Sequence, residues 1–293
     1  NDDLCESISN RNGQIVVISD LPIEWMYLDE YPLSFTHDVC RIPEFNQNSI
    51  VNNYIQNQRF CYSIPDGLIS RTLVIHCASK DDNEMQKMFR FIDCYKDELK
   101  FNIAHCSTIV EIKEAIDLYN PDFLIFDSHG GFDETTLSSY LIVDFENNIR
   151  LTGDEVVEYG ISAPLDFLSA CTTMPNYGYV RFISDAFMEA GAFSVTATYL
   201  PLSIAEAGKL IIRVLSKLKY LQGKVIHSNW LEFISHVLRT SLIHEIVLKE
   251  VKSEVTLNSK QVHELSEILA QSMLFEKRKE CLETLNDFVR KYS

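Results

Sequence analysis

Three observations predict an α/β fold, with a mostly parallel sheet flanked by helices and a helical C-terminal extension. Short apolar runs of strand length recur between residues 14 and 198, runs of helical spacing separate them, and no glycine follows Gly223.

The first run, QIVVISDLPIEWMYL (14 to 28), opens with β-branched residues between Gly13 and Pro22 and predicts a strand at its start. Runs of the same kind follow at 72 to 78, 101 to 106, 122 to 128, 164 to 170 and 192 to 198. Each is apolar on both faces, as a buried parallel strand should be. Between them, Met85, Met88, Phe89 and Ile92, then Val110, Ile112, Ala115, Ile116 and Tyr119, recur at spacings of three and four.

YLIVDF and IRLT around Glu146, Asn147 and Asn148 predict a hairpin, and Thr152 with Glu155 predicts a capping box. A helix from Val180 to Ala190 should end at Gly191. Amphipathic helices are predicted over Ile204 to Leu221, 229 to 250 and 260 to 290, packing on the body or on each other.

At 293 residues with 46% hydrophobic content, the chain suits one large α/β domain with an appendage. Its 42 acidic against 26 basic residues, a formal charge of −16, repel phosphate backbones, so no direct nucleic-acid partner is expected. No apolar stretch reaches the roughly 20 residues that span a bilayer, and NDDLCESISN lacks signal-peptide order, which predicts a soluble cytoplasmic protein without a membrane partner. The start at Asn1 allows the chain to be a piece of something longer.

Eight irregularly spaced cysteines and no secretion signal predict reduced thiols. Neither a metal nor a cofactor is expected. No CxxC occurs, and His76/Cys77 and His105/Cys106 are adjacent in strand-like runs, where neighbouring side chains point to opposite faces. Cys40, Cys61, Cys77, Cys94, Cys106 and Cys281 are read as core or half-buried thiols.

Two strands end in reactive residues. FLIFDSHGG places His129 just past one, and PLDFLSACTT places Cys171 just past another, 42 positions later (171 minus 129). Functional crevices form at the carboxyl ends of such strands, so both side chains should emerge on one edge. An imidazole beside a thiol stabilises or generates the thiolate and can protonate a leaving amine. Gly130 and Gly131 let the backbone bend closely round a substrate carbonyl, and the amides of Gly130 and Cys171 would form an oxyanion hole. Asp127 or Ser128 would orient His129 if the strand continued that far, and a solvated strand end is the competing reading. Taken singly, a histidine beside glycine is usually structural and a strand-end cysteine is usually a small hydrophobe. Their combination points to a catalytic dyad.

SHGG and SACTT, in that order and each behind an apolar strand, resemble the CHAT peptidases, relatives of caspases and separases. The likeness extends to residues 14 to 44 and to AFMEAGAFSVTATYLP, with Tyr199 and Leu200 where the family often has a tryptophan. It implies a caspase-like peptidase domain over 14–250 with a helical extension over 251–293, and a cysteine endopeptidase cleaving a protein substrate under the control of a sensor or repeat-domain partner. Relatives in CRISPR-linked effectors and beside bacterial gasdermins imply a setting in bacterial defence. In separases the loop after the cysteine carries an acid that receives the basic side chain preceding the cut, and Glu206 is the one acid of YLPLSIAEAGK. The alternative for Glu206 is the first turn of a helix beginning near Ser203.

Competing motifs fail. GISAP carries Pro164 where a serine elbow needs glycine, HEIVL lacks a second histidine after His244, and AGK at 207 to 209 lacks the glycine spacing of a phosphate loop. The remaining alternative is a non-catalytic, caspase-like interaction module.

Overall fold

The structure is a computed structural model that describes residues 2–9, 11, 13–19, 21–28, 30–42, 51, 62–171, 182–198, 201–251 and 257–293. The chain divides into two units, residues 1–42 with 225–293, and residues 43–224. In chain order the first residues form α1 (Asp2–Ser9), β1 (Gln14–Ile18), β2 (Tyr27–Leu28), β3 (Tyr31–Pro32), α2 (Leu33–Thr36) and β4 (Asp38–Ile42). Residues 43–224 contain β5 (Thr72–His76), α3 (Asn83–Asp93), α4 (Lys96–Leu99), β6 (Asn102–His105), α5 (Ile109–Tyr119), β7 (Phe123–Asp127) and β8 (His129–Asp133). They continue with β9 (Ser138–Asp144), β10 (Ile149–Leu151), α6 (Gly153–Tyr159), β11 (Leu165–Ser169), α7 (Ile183–Ala190), β12 (Ser194–Thr196) and α8 (Ile204–Leu221). The chain ends in α9 (Trp230–Glu250), α10 (Ser259–Gln271) and α11 (Arg278–Tyr292).

In the 43–224 unit, five parallel strands lie in the order β12-β11-β7-β5-β6. Every residue of β5, β7 and β11 is buried, because helices cover both faces of the central strands. Ile112 and Ile116 of α5, Val156 of α6 and Ile183 and Phe187 of α7 pack with Leu73, Ile75, Leu124, Phe126 and Leu168 in one core. On the alternate face of β5, the His76 ring meets Phe89 of α3 at 5.0 Å between centroids, and α3 packs on α8. A Cβ on Gly208 would lie 1.9 Å from the Met88 sulfur, so a larger residue there would require the Met88 side chain to move. Chain order starts in mid-sheet at β5, moves outward to β6, and returns past β5 to β7. The topological switch point, where open α/β sheets form their functional crevice, therefore lies between the carboxyl ends of β5 and β7.

Several sequence expectations meet their elements here. Thr152 and Glu155 form the capping box of α6, α7 ends at Gly191, and α8 spans Ile204–Leu221 as its spacing predicts. Residues 180 and 181, where the helix before Gly191 was expected to begin, lie outside the described residues. Cys77, Cys106 and Cys281 are buried, whereas Cys40 and Cys94 are exposed and Cys61 lies outside the described residues.

Burial on both faces does not hold for every predicted strand. β6 and β12 are the edges of the sheet and are partly open. Among the described residues β1 pairs in parallel only with β4, Gln14 opposite Asp38, and Val16 and Ile18 are about two-thirds exposed.

The unit formed by residues 1–42 and 225–293 has its own core of Phe35, Ile243, Val247, Leu265, Ile268, Leu285 and Phe288. Asp38 anchors it: its carboxylate accepts from Arg239 Nη2 at 2.6 Å and Arg278 Nη2 at 3.2 Å. Arg239 Nε also donates to the Phe35 carbonyl at 2.7 Å. Burial, reinforced by the Arg278 charge, lowers the Arg239 pKa to about 10. This shared core explains a division different from the expected 14–250 domain with a 251–293 extension. Residues 14–42 and 225–250 belong with the last two helices.

The single helix expected over 260 to 290 is two helices. α10 stops at Ser272, whose hydroxyl bonds back to the Leu269 carbonyl at 2.7 Å and whose own carbonyl receives Arg239. The chain then turns, so that Lys291 and Tyr292 of α11 reach Glu264 of α10.

Candidate active site

Parallel pairing of β7 with β11 sets Asp127 opposite Ser169. His129 and Cys171 each stand two residues beyond those partners, at equivalent steps past the carboxyl ends of neighbouring strands. Beyond Ser128 the chain does not become a loop: His129 opens β8, which pairs antiparallel with β9, His129 opposite Ile142. This extra strand turns the chain across the edge of the sheet, and Gly130 then lies directly on the Cys171 backbone. A Cβ on Gly130 would stand 1.9 Å from the Cys171 carbonyl oxygen and 3.2 Å from its amide nitrogen, so only glycine permits the approach. A Cβ on Gly131 would meet the Tyr140 ring at 2.5 Å, a side chain rather than backbone, so a larger residue there would require that ring to move.

Among the described residues, the Cys171 thiol donates a hydrogen bond to the Leu202 carbonyl at 3.6 Å. Thr198 donates through its hydroxyl to the carbonyl of Ala170, tying the strand end that carries Cys171 to the segment after β12. His129 bonds through Nε2 to Asp82 Oδ2 at 2.8 Å. Asp82 is the N-cap of α3, and its other oxygen accepts the Met85 amide at 3.1 Å. Partial burial pushes the Asp82 pKa up, but the Met85 amide and the His129 ring outweigh it and hold the carboxyl below its ordinary value. An ionised Asp82 makes Nε2 the protonated nitrogen and leaves Nδ1 of His129 as the acceptor nitrogen of the ring.

Asp127, one of the two residues expected to orient His129, serves another histidine. Its carboxylate lies 2.6 Å from Nδ1 of buried His76, because in-register β5 and β7 place the two side chains side by side on one face. Ser128 is buried, and its hydroxyl has no partner among the described residues. Asp82 takes the orienting role instead. It follows β5, so its bond to His129 bridges the switch point between β5 and β7. The local signal for it was a capping one, an aspartate three residues before Met85, which marks a helix start and not a partner for a histidine 47 positions away.

Glu206 occupies the first turn of α8, where its carboxylate accepts the hydroxyl of Ser203, the N-cap, at 2.8 Å. The first-turn alternative describes this geometry. Among the described residues no group of three or more His, Cys, Asp or Glu side chains is arranged to hold a metal, and no helix is long and apolar enough to cross a membrane.

Burial raises the thiols of Cys77, Cys106 and Cys281, the second to about 12 and the third to about 11. Cys171 is half-buried, two residues beyond the end of β11.

Residues 81–225 match the family of the CHAT domain, within the 14-to-250 stretch that carries the sequence resemblance. No curated protein and no solved structure matches the chain.

Proposed function

Because residues 81–225 belong to the CHAT domain family, a group related to caspase-like cysteine peptidases, we propose that the protein is a cysteine endopeptidase acting through Cys171 and His129. The observation that carries this reading is the placement of the two residues at equivalent steps beyond β7 and β11, with Gly130 seated on the Cys171 backbone and Asp82 holding the imidazole.

The Cys171 thiol gives its proton to Nδ1 of His129, and the thiolate attacks the scissile carbonyl carbon. The carbonyl becomes an oxyanion, which the amides of Gly130 and Cys171 would receive. As the C–N bond breaks, the imidazolium returns the proton to the leaving amine, and a thioester remains on Cys171. Water then attacks the thioester while His129 takes its proton. The acyl group leaves as a carboxylic acid and the proton goes back to sulfur. Asp82 does not touch substrate in this scheme: it fixes the ring and stabilises the imidazolium by charge.

Competitive alkylation tests the reading without any knowledge of the natural substrate. Under limiting iodoacetamide near neutral pH, Cys171 should label well ahead of the other seven thiols, and its lead should disappear in His129→Ala. A Cys171 that labels no faster than Cys77 or Cys281, or that ignores His129, would instead mark a non-catalytic module.

A further inference from the structure

A cavity of about 340 Å³ opens between α3 and α8, lined by Glu84, Lys87, Met88 and Phe91 on one side and Ile204, Ala205 and Lys209 on the other. The α3 residues fall at i, i+3, i+4 and i+7, one stripe of that helix. Buried Met88 forms the floor against Gly208, while exposed Phe91 and Ala205 leave the apolar walls open to solvent.

Both helices that wall this groove start at the candidate active site. α3 begins at Asp82, which holds His129, and α8 follows directly on Leu202, whose carbonyl receives the Cys171 thiol. At ~1.5 Å per helical residue, Met88 lies about 9 Å along α3 from Asp82. An extended polypeptide leaving the dyad covers that distance in about three residues.

The rim has its own chemistry. Lys87 and Lys209 are exposed, and neither forms an ion pair with a described residue, so two unsatisfied cations flank one carboxylate, Glu84. In a chain of net charge −16 this is a local reversal of sign.

We propose that the groove between α3 and α8 is a subsite for the polypeptide substrate, taking a bulky apolar side chain next to an acidic one, a few residues from the scissile bond. The proposal rests on the peptidase reading for the identity of the occupant. Met88, Phe91 and Ile204 receive the apolar side chain, and Lys87 and Lys209 pair with its acidic neighbour.

The test is a selection from a random 12-residue peptide library on immobilised Cys171→Ala protein, which cannot cut what it binds. The expected peptides carry Leu, Met or Phe beside Asp or Glu. Adding Ala205→Arg, at an exposed position on the groove wall, should cut their recovery at least tenfold. Adding Lys87→Glu with Lys209→Glu should replace Asp and Glu by Lys and Arg in the selected peptides. Selections that lack the apolar-acidic signature, or that return it undiminished with Ala205→Arg, overturn the subsite. The two readings fail separately: a wild-type protein that cuts nothing while the signature persists overturns only the peptidase, and one that cuts while the signature is missing overturns only the groove.

Discussion

The carboxylate of Asp82 stands 2.8 Å from Nε2 of His129, joining residues that follow two different strands across the crevice between β5 and β7. The same carboxylate caps α3, so the element that starts the helix also fixes the orientation of the imidazole.

That double role makes Asp82→Asn an informative change, because asparagine caps a helix as well as aspartate does and only the charge is lost. Turnover should fall by about 10- to 100-fold as the ring loses its fixed orientation. The loss should fall on kcat with KM little changed, a split that a merely structural role would not produce. Because the Asp82 pKa is depressed in the folded state, its contribution to stability is present above the ordinary carboxylate value and is lost as pH falls through the depressed one. Melting curves of wild type and Asp82→Asn should therefore converge in acid.

Replacing His129 by Ala removes the proton carrier and should slow peptide cleavage by about 10²–10⁴-fold. Cleavage should drop by more than the slowing of Cys171 alkylation, because protonation of the leaving amine is lost as well. Equal losses in both assays would confine His129 to thiolate formation.

Gly130→Ala places a methyl group where the Cys171 carbonyl stands, and either the backbone of β8 or the turn at Cys171 must move. A destabilisation of about 1–3 kcal/mol is expected from the overpacking, together with loss of turnover. Wild-type turnover in this variant would show that the close approach is not needed for the oxyanion amides.

Asp166 is a buried carboxyl in β11 whose one described bond is from the Ala163 amide to Oδ1 at 3.1 Å. Burial raises its pKa well above the ordinary value. A raised folded pKa contributes stability below the unfolded value near 3.9, and that contribution is lost as pH rises towards the folded one. Asp166→Asn keeps the Oδ1 acceptor and removes the ionisation, so it should gain stability over wild type as pH rises from 4, by at most ~1.4 kcal/mol per pH unit. Urea unfolding at pH 5 and pH 8 measures the difference, and parallel curves for the two proteins would contradict this account of Asp166.

Glu206 tests the specificity drawn from the separase likeness. If its carboxylate leaves Ser203 for a basic substrate side chain, Glu206→Gln should cost peptides with Lys or Arg before the cut about tenfold more than neutral ones. An equal loss for both would leave Glu206 as the partner of the α8 cap alone.

What was legible in the sequence follows from period and position. Buried central strands read as continuous apolar runs, so β5, β7 and β11 could be located, and with them the edge from which His129 and Cys171 emerge. Asp82 was not legible as a functional residue, because its partner is 47 positions away and only the strand order brings them together. Asp127 misled for the converse reason. It stands two residues before His129 in sequence, but the in-register neighbour of its strand offers His76. The break between α10 and α11 has no glycine or proline to mark it and depends on the packing of Ser272 beside Arg239. The edge strands and β1 carry apolar residues like those of the central strands, and sequence alone does not say which strands lack a neighbour.

Quantifying the new amino termini produced in a mixture of extracted cellular proteins, with wild type and Cys171→Ala side by side, tests the central claim most directly. The account predicts termini that appear with wild type at a restricted set of sequences and are absent with Cys171→Ala, whose melting temperature should stay close to that of wild type because little beyond one half-buried sulfur is removed. Identical termini from both proteins, or none from a wild type whose Cys171 is intact and alkylates no faster than the buried thiols, would contradict it.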